Sequence, residues 1–161
     1  SFKEDWRSYA NTPGHAFQFQ KGPYAGRIFV AANHSAGPPQ DQFAEYQAHG
    51  FFTDDHGKSF GISESIQFPG SNESIAAELT NGRMIMSIRN QKGDIRQRIL
   101  AYSSDGGKTW ENVTPPGSPK WNMFNCIDVN PHQPGSAYVA ATHYKFGDYT
   151  PYLYKTMDYG S

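Results

Sequence analysis

Short runs of alternating or continuous apolar residues recur along the whole chain, at 15–20, 27–32, 49–53, 75–79, 83–89, 97–103, 124–129, 137–142 and 152–156. Runs of this length and period predict strands. Between them stand turn signals, among them Asn81-Gly82, Lys92-Gly93-Asp94, Asp105-Gly106-Gly107 and Pro134-Gly135-Ser136. In these, Gly, Asn and Asp supply the positive φ that tight connections need. No window sustains apolar residues at i, i+3, i+4 and i+7. The stretch 42–48 has room for one helical turn, but Pro38, Pro39 and the neighbouring glycines favour a loop. The expectation is an all-β chain wired as a meander.

An internal repeat gives the strands an architecture. Thr53-Asp54-Asp55-His56-Gly57-Lys58-Ser59-Phe60 and Ser103-Ser104-Asp105-Gly106-Gly107-Lys108-Thr109-Trp110 share the pattern Ser/Thr-x-Asp-x-Gly-x-Ser/Thr-aromatic. A third copy runs from Thr156 through Asp158 to Gly160. Asp55, Asp105 and Asp158 are spaced by 50 and 53 residues, the length of one four-stranded propeller blade. The physical sense of the motif is a turn. Its carboxylate accepts backbone N–H bonds, its glycine takes a positive φ, and its aromatic packs between neighbouring sheets. A catalytic acid or a calcium ligand at Asp55 or Asp105 is the alternative, although the spacing is explained by the turn alone. The pattern resembles the Asp-box of sialidases and of other propellers. It implies a β-propeller of about three four-stranded blades, near 12–62, 72–113 and 121–161, half of a six-bladed ring, within a single partial propeller over 1–161.

Composition narrows the partners. Fourteen Lys and Arg against 15 Asp and Glu give a formal net charge of -1, which offers nucleic acid or an anionic membrane no attraction. No run approaches the ~20 apolar residues of a membrane helix. The single cysteine, Cys126, lies in an alternating run and reads as a small buried side chain, with no intrachain disulfide possible. The six histidines show no metal-binding spacing, and no cofactor is expected. Sequons at Asn33, Asn72 and Asn112 are too common a pattern to place the protein.

Candidate chemistry comes from an ordered set of segments: 12–18, Gly26-Arg27-Ile28-Phe29-Val30, the first Asp-box, Gly70-Ser71-Asn72-Glu73-Ser74, and Asn81 through Arg89-Asn90. Over roughly residues 1–110 this order resembles bacterial exo-α-sialidases, which remove terminal sialic acids from glycoconjugates. The resemblance implies that Glu73 partners a tyrosine nucleophile and that Arg89 belongs to a three-arginine cluster holding the sialic-acid carboxylate. The residue types suit those roles. A guanidinium fork binds a carboxylate bidentately, and a phenol of pKa near 10 needs a base before it can attack. On composition alone, Glu73 reads equally as a solvated acid at a strand start and Arg89 as an exposed strand-end base. Arg96 and Arg98 share a strand face and read as blade-surface or edge charges. His34, His49, Phe43 and Tyr46 lie on or near a long loop that lines a pocket rim or is simply solvated. The acid/base Asp, two of the three arginines and the nucleophilic Tyr of the intact family have no match in these residues, which weighs against catalysis by this chain alone.

Past the second Asp-box the resemblance changes. Residues 113–117, Trp121, 127–142 and 149–160 look like sortilin-type, glycosyl-hydrolase-like propeller repeats, and six of the eleven prolines fall after Trp110. A chimera joined within or just after 103–110 is one expectation, because blades contact chiefly their neighbours and both families share that turn. Three blades leave two blade faces open, so self-association into a closed ring, as a homodimer of six blades, is another. A weakly held sialylated glycan and a secreted or periplasmic location are implied by the resemblance. The other class of function is a non-catalytic propeller scaffold that assembles as an oligomer.

Overall fold

Alternation becomes structure where a neighbouring strand supplies the ladder. The computed structural model describes residue 3 and residues 5–92, 98–114 and 123–158. In its first unit, Ser1–Pro116, two antiparallel sheets form. The first contains β1 (Trp6–Asn11), β2 (Phe17–Gln18), β3 (Ile28–Ala36), β4 (Tyr46–Thr53) and β5 (Gly61–Ile62), in the order β1-β3-β4-β5 with β2 also on β3. The second runs β6 (Ser71–Glu78), β7 (Met84–Asn90), β8 (Ile99–Ser103) and β9 (Glu111–Asn112) in chain order. The second unit, Gly117–Ser161, holds the three-stranded meander β10 (Met123–Val129), β11 (Ala137–His143) and β12 (Asp148–Thr156). Among the described residues the helical turns are short 3-10 pieces such as Asp41–Phe43. No helix there is long and apolar enough to cross a membrane.

The all-β meander therefore stands, with differences at its edges. Strand β1 has the sequence Trp-Arg-Ser-Tyr-Ala-Asn, which carries no apolar alternation. It is a strand because β3 offers it a ladder from Trp6↔Ala36 to Asn11↔Ala32. Of the run 15–20, only Phe17 and Gln18 pair, with Phe29 and Ile28, so 12–16 loops out between two strands that share one partner. Strand β4 begins at Tyr46 rather than 49, again because β3 extends to meet it. Cys126 is exposed, not buried. A register shift between Phe124 and Cys126 interrupts the alternation, and Ile127 and Val129 beside it are also exposed.

The core of the first unit lies between its two sheets. Phe29, Ala31 and Ala48 face Ala76, Met84, Met86, Ile88, Ile99 and Ala101, all at most 7% exposed. The second Asp-box closes one end. Gly107 has φ +86°, and a Cβ there would lie 2.5 Å from the Phe29 ring and 2.9 Å from Met84. Gly106, at φ +71°, leaves room for Tyr24 and for Arg27. The Arg27 guanidinium is buried, donates to Asp54 Oδ1 and Oδ2 at 2.7 and 2.8 Å and to Gly106 O at 3.0 Å, and lies over the Phe52 and Tyr24 rings. It joins the two sheets and draws Asp54 below its ordinary pKa.

On the other face of the first sheet, His34 and His49 lie within strands rather than on a loop. Their Nδ1 atoms are 3.0 Å apart, Trp6 stacks on His34 at 3.9 Å, and His49 Nε2 is buried without a partner among the described residues. Burial, reinforced by Lys3 and opposed by Asp5, pushes His34 down from 6.5 to about 4. Burial and the neighbouring His34 push His49 to about 3, with Lys3 lowering it further against a bond from the Gln47 backbone.

This packing carries three predictions. Gly107→Ala should cost about 2 kcal/mol or more in urea denaturation, through overpacking and a strained φ. By contrast His56→Gly should gain up to about 1 kcal/mol, because His56 sits at φ +59° where the second box has glycine. For the histidines, the unfolded chain binds more protons than the folded one below pH ~6.5. Their stability contribution is complete above that pH and is lost as pH falls toward about 4 and about 3. The urea midpoint should drop between pH 7 and 5, and His49→Phe should flatten that slope.

Candidate functional site

A β-bulge builds the site. Strand β6 pairs with β7 at Ser71↔Asn90 and again at Ser74↔Ile88, so Asn72 and Glu73 together oppose Arg89. Bulges of this kind re-aim side chains. Released from the ladder, Glu73 N donates to Asn72 Oδ1 at 2.5 Å. Arg89 Nη1 donates to Glu73 Oε2 at 2.6 Å, with the two side chains 49% and 44% exposed. Thus the two residues singled out by resemblance lie side by side. One Arg89 nitrogen is engaged, and its Nη2 and Nε have no partner among the described residues.

Arg98 is not a simple surface charge. It is half-buried on the same face of the sheet, donating from Nε to Ser87 Oγ at 2.8 Å and from Nη2 to Ser87 O at 3.0 Å. Burial lowers its pKa, Glu73 raises it and Arg89 lowers it, so its charge is felt by the pair. A spacing of two from Arg96 suggested an exposed edge, whereas the hydroxyl and carbonyl of Ser87 draw the guanidinium inward. Arg96 lies outside the described residues.

Glu73 lines a cleft of about 510 Å³, together with Asn11, Asn33, Phe43, Tyr46 and Asn72. That volume is in the range of small-molecule sites. The sheets meet here through Gly70 N to Tyr46 O at 2.9 Å and Ala48 N to Ser71 Oγ at 2.9 Å. The looped-out segment 12–16 closes the cleft from the side, with Thr12 Oγ1 donating to Ser74 O and Gly14 against Ile75. Sequence reasoning left the role of Phe43 and Tyr46 open. Here both line the cleft.

The Asp-box residues do structural work. Asp55 Oδ1 accepts from Thr53 Oγ1, Lys58 N and Ser59 N at 2.8, 3.0 and 2.9 Å, and Oδ2 accepts from Ser59 Oγ at 2.6 Å. Gly57 N donates to Thr53 Oγ1 at 2.8 Å. The second box repeats this with Ser103, Asp105, Gly107, Lys108 and Thr109. The Ser59 bonds hold Asp55 down to about 2, and the bonds from Thr109, Ser103 and Lys108 hold Asp105 there against burial. In the third copy Thr156 Oγ1 donates to Asp158 Oδ1 at 2.8 Å, while Gly160 lies outside the described residues. The aromatics differ. Trp110 packs between the sheets, edge-on to Phe29, with Nε1 donating to Glu64 O at 3.0 Å. Phe60 is 50% exposed, its ring partner among the described residues being Phe51 of its own sheet. The position is therefore not always buried between sheets.

Successive antiparallel sheets of five, four and three strands make an all-β fold of the sialidase propeller type. Residues 1–145 match the BNR repeat-like domain family, and the chain belongs to it. That match continues through the second Asp-box and beyond Trp110. Among curated proteins none matches the sequence. Solved structures do. The Ruminococcus gnavus intramolecular trans-sialidase, in complex with oseltamivir carboxylate, is 20% identical with a TM-score of 0.61, covering 96% of this chain and 36% of that one. The leech intramolecular trans-sialidase complexed with 2,7-anhydro-Neu5Ac gives 19% and 0.59, over 95% and 25%. The Trypanosoma rangeli sialidase with 2,3-difluorosialic acid gives 17% and 0.52, over 83% and 22%. At these identities the likeness is one of fold, and the chain spans about a third or less of each relative's length.

Proposed function

We propose that this chain is a sialidase-derived propeller module that binds the terminal sialic acid of a glycan, with Arg89 on its carboxylate. The observation that carries the reading is the bulge that sets Asn72 and Glu73 against Arg89 at the cleft. With one nitrogen on Glu73, the guanidinium keeps its remaining edge for a second carboxylate, and Arg98 adds positive charge nearby. The family resemblance gives Glu73 the task of accepting the proton of a tyrosine nucleophile. No tyrosine hydroxyl is bonded to Glu73 among the described residues. Binding without turnover is therefore the function assigned to this chain. One family match on both sides of Trp110 favours a continuous run of blades over a splice. A propeller that only assembles, with no glycan site, is the alternative class.

Self-association belongs to the same proposal. Phe60 and Tyr9, 50% and 37% exposed, leave apolar surface on the first sheet that a blade from a second copy would cover in a six-bladed ring. Light scattering at micromolar concentration should report a dimer, and a clean monomer overturns this part.

Titration with a soluble sialoside should give measurable affinity that falls about tenfold in Arg89→Lys, which loses the planar fork. An unchanged affinity favours the assembly-only alternative. Incubation with a fluorogenic sialoside should give no turnover. If turnover appears and vanishes in Glu73→Ala, the chain is itself a glycosidase and the binding-only assignment is wrong.

A further inference from the structure

Two imidazoles on the first sheet, on the face away from the core, take no part in the Asp-box turns or in the ion pair at the bulge. His34 and His49 are 3% and 0% exposed, and their Nδ1 atoms stand 3.0 Å apart. At that distance one Nδ1 donates and the other is bare, so the pair is built for two neutral rings. A first added proton puts an N–H on a buried ring edge, where His49 Nε2 has no partner among the described residues. A second strips the bridge of its acceptor and sets two cations side by side.

Few other charges face the pair. Lys3 repels an added proton and Asp5 attracts one, and no carboxylate is hydrogen-bonded to either ring among the described residues. Tyr9, pushed up to about 12 by burial, stays neutral. The remaining residues of β3 and β4 carry no charged group.

What covers the pair is a single strand. Trp6 stacks on His34 at 3.9 Å and meets His49 at 4.8 Å, and Tyr9 lies 5.6 Å from His49. Both belong to β1, an edge strand whose ladder among the described residues is to β3 alone. That strand also builds the cleft. Its Asn11 lines the wall, and its Arg7 donates to Glu45 Oε1 at 3.1 Å, beside the turn in which Gln42 and Phe43 take φ of +57° and +59°. Strain of that kind lasts only while its surroundings impose it.

We propose that the histidine pair is an acid-sensitive latch on β1: near neutral pH the strand lies closed over it, and protonation of the pair releases the strand together with its wall of the cleft. The inference is independent of which ligand the cleft takes. Its size follows from linkage. Rings held down to about 4 and about 3 return to about 6.5 once β1 has left, so closure is fully favoured above that value and weakens as pH falls. The opening constant rises by up to about 500-fold between pH 7 and pH 5.

Hydrogen exchange of the whole chain, read by mass spectrometry at pH 7, 6 and 5 and corrected for the intrinsic rate, tests the latch. The opening constant at 6–11 should rise by that factor, with 40–46 following. At every pH it should stay well above the constant at 84–88 in the core, because the strand leaves before the sheets part. His34→Gln and His49→Phe each leave one titrating ring, and each should cut the rise to about 20-fold. The latch is overturned if 6–11 shows no acid-dependent opening, if 6–11 and 84–88 share one opening constant, or if the rise is undiminished in both variants. Should a variant fail to fold, the comparison of 6–11 with 84–88 in the unaltered chain still decides.

Discussion

Arg27 is the side chain through which the first two blades are fixed to each other. A guanidinium taken out of water is a liability unless its donors are matched, because the desolvation cost of an isolated charge exceeds what packing returns. Here the matching is distributed. Asp54 takes two donors from the same sheet, Gly106 O takes another from the second sheet, and two aromatic faces cover the ion. The second Asp-box can come close enough only because Gly106 and Gly107 lack side chains where Tyr24, Arg27 and Phe29 press against them. Trp110 completes the join by reaching back to Glu64 O, while Glu64 N bonds Lys108 O at 2.9 Å. The register between the sheets is therefore set at the turn end. The cleft at the other end of β4 and β6 inherits it through Tyr46, Gly70 and Ser71.

That dependence explains what the sequence could and could not reveal. The turns at 53–59 and 103–109 were legible because their chemistry is local: each of Asp55 and Asp105 is satisfied within five residues of chain, so the pattern of residue types is the structure. The strands of the core were legible for the same reason, as Met84, Met86 and Ile88 alternate whatever they pack against. Strand β1 was not, since its polar sequence becomes a strand only through β3. Nor was the bulge at Asn72 and Glu73, which is a property of the register between two strands. Resemblance supplied Glu73 and Arg89 as names, but their contact comes from that extra residue in β6. Arg98 was misread for a related cause. Alternation gives the face a side chain leaves from, and says nothing of the Ser87 hydroxyl and carbonyl that bend it down.

The carboxylates of the chain divide by how much of their bonding capacity the fold has already used. Asp55 and Asp105 each accept four bonds, three at one oxygen and one at the other, which accounts for their depressed pKa and leaves little to offer a proton or a metal ion. Their conformation would also be lost with any bond given up, so the turn itself opposes a catalytic role. Glu73 is the opposite case. Among the described residues it accepts one bond, from an arginine that is half exposed, across a bulge rather than within a turn. A pair of that kind in solvent contact is worth little to stability, so its geometry can be exchanged for another partner at small cost. The pair across the bulge is therefore a polar contact that the sheets do not depend on, whereas the carboxylates of the two turns are committed to the fold.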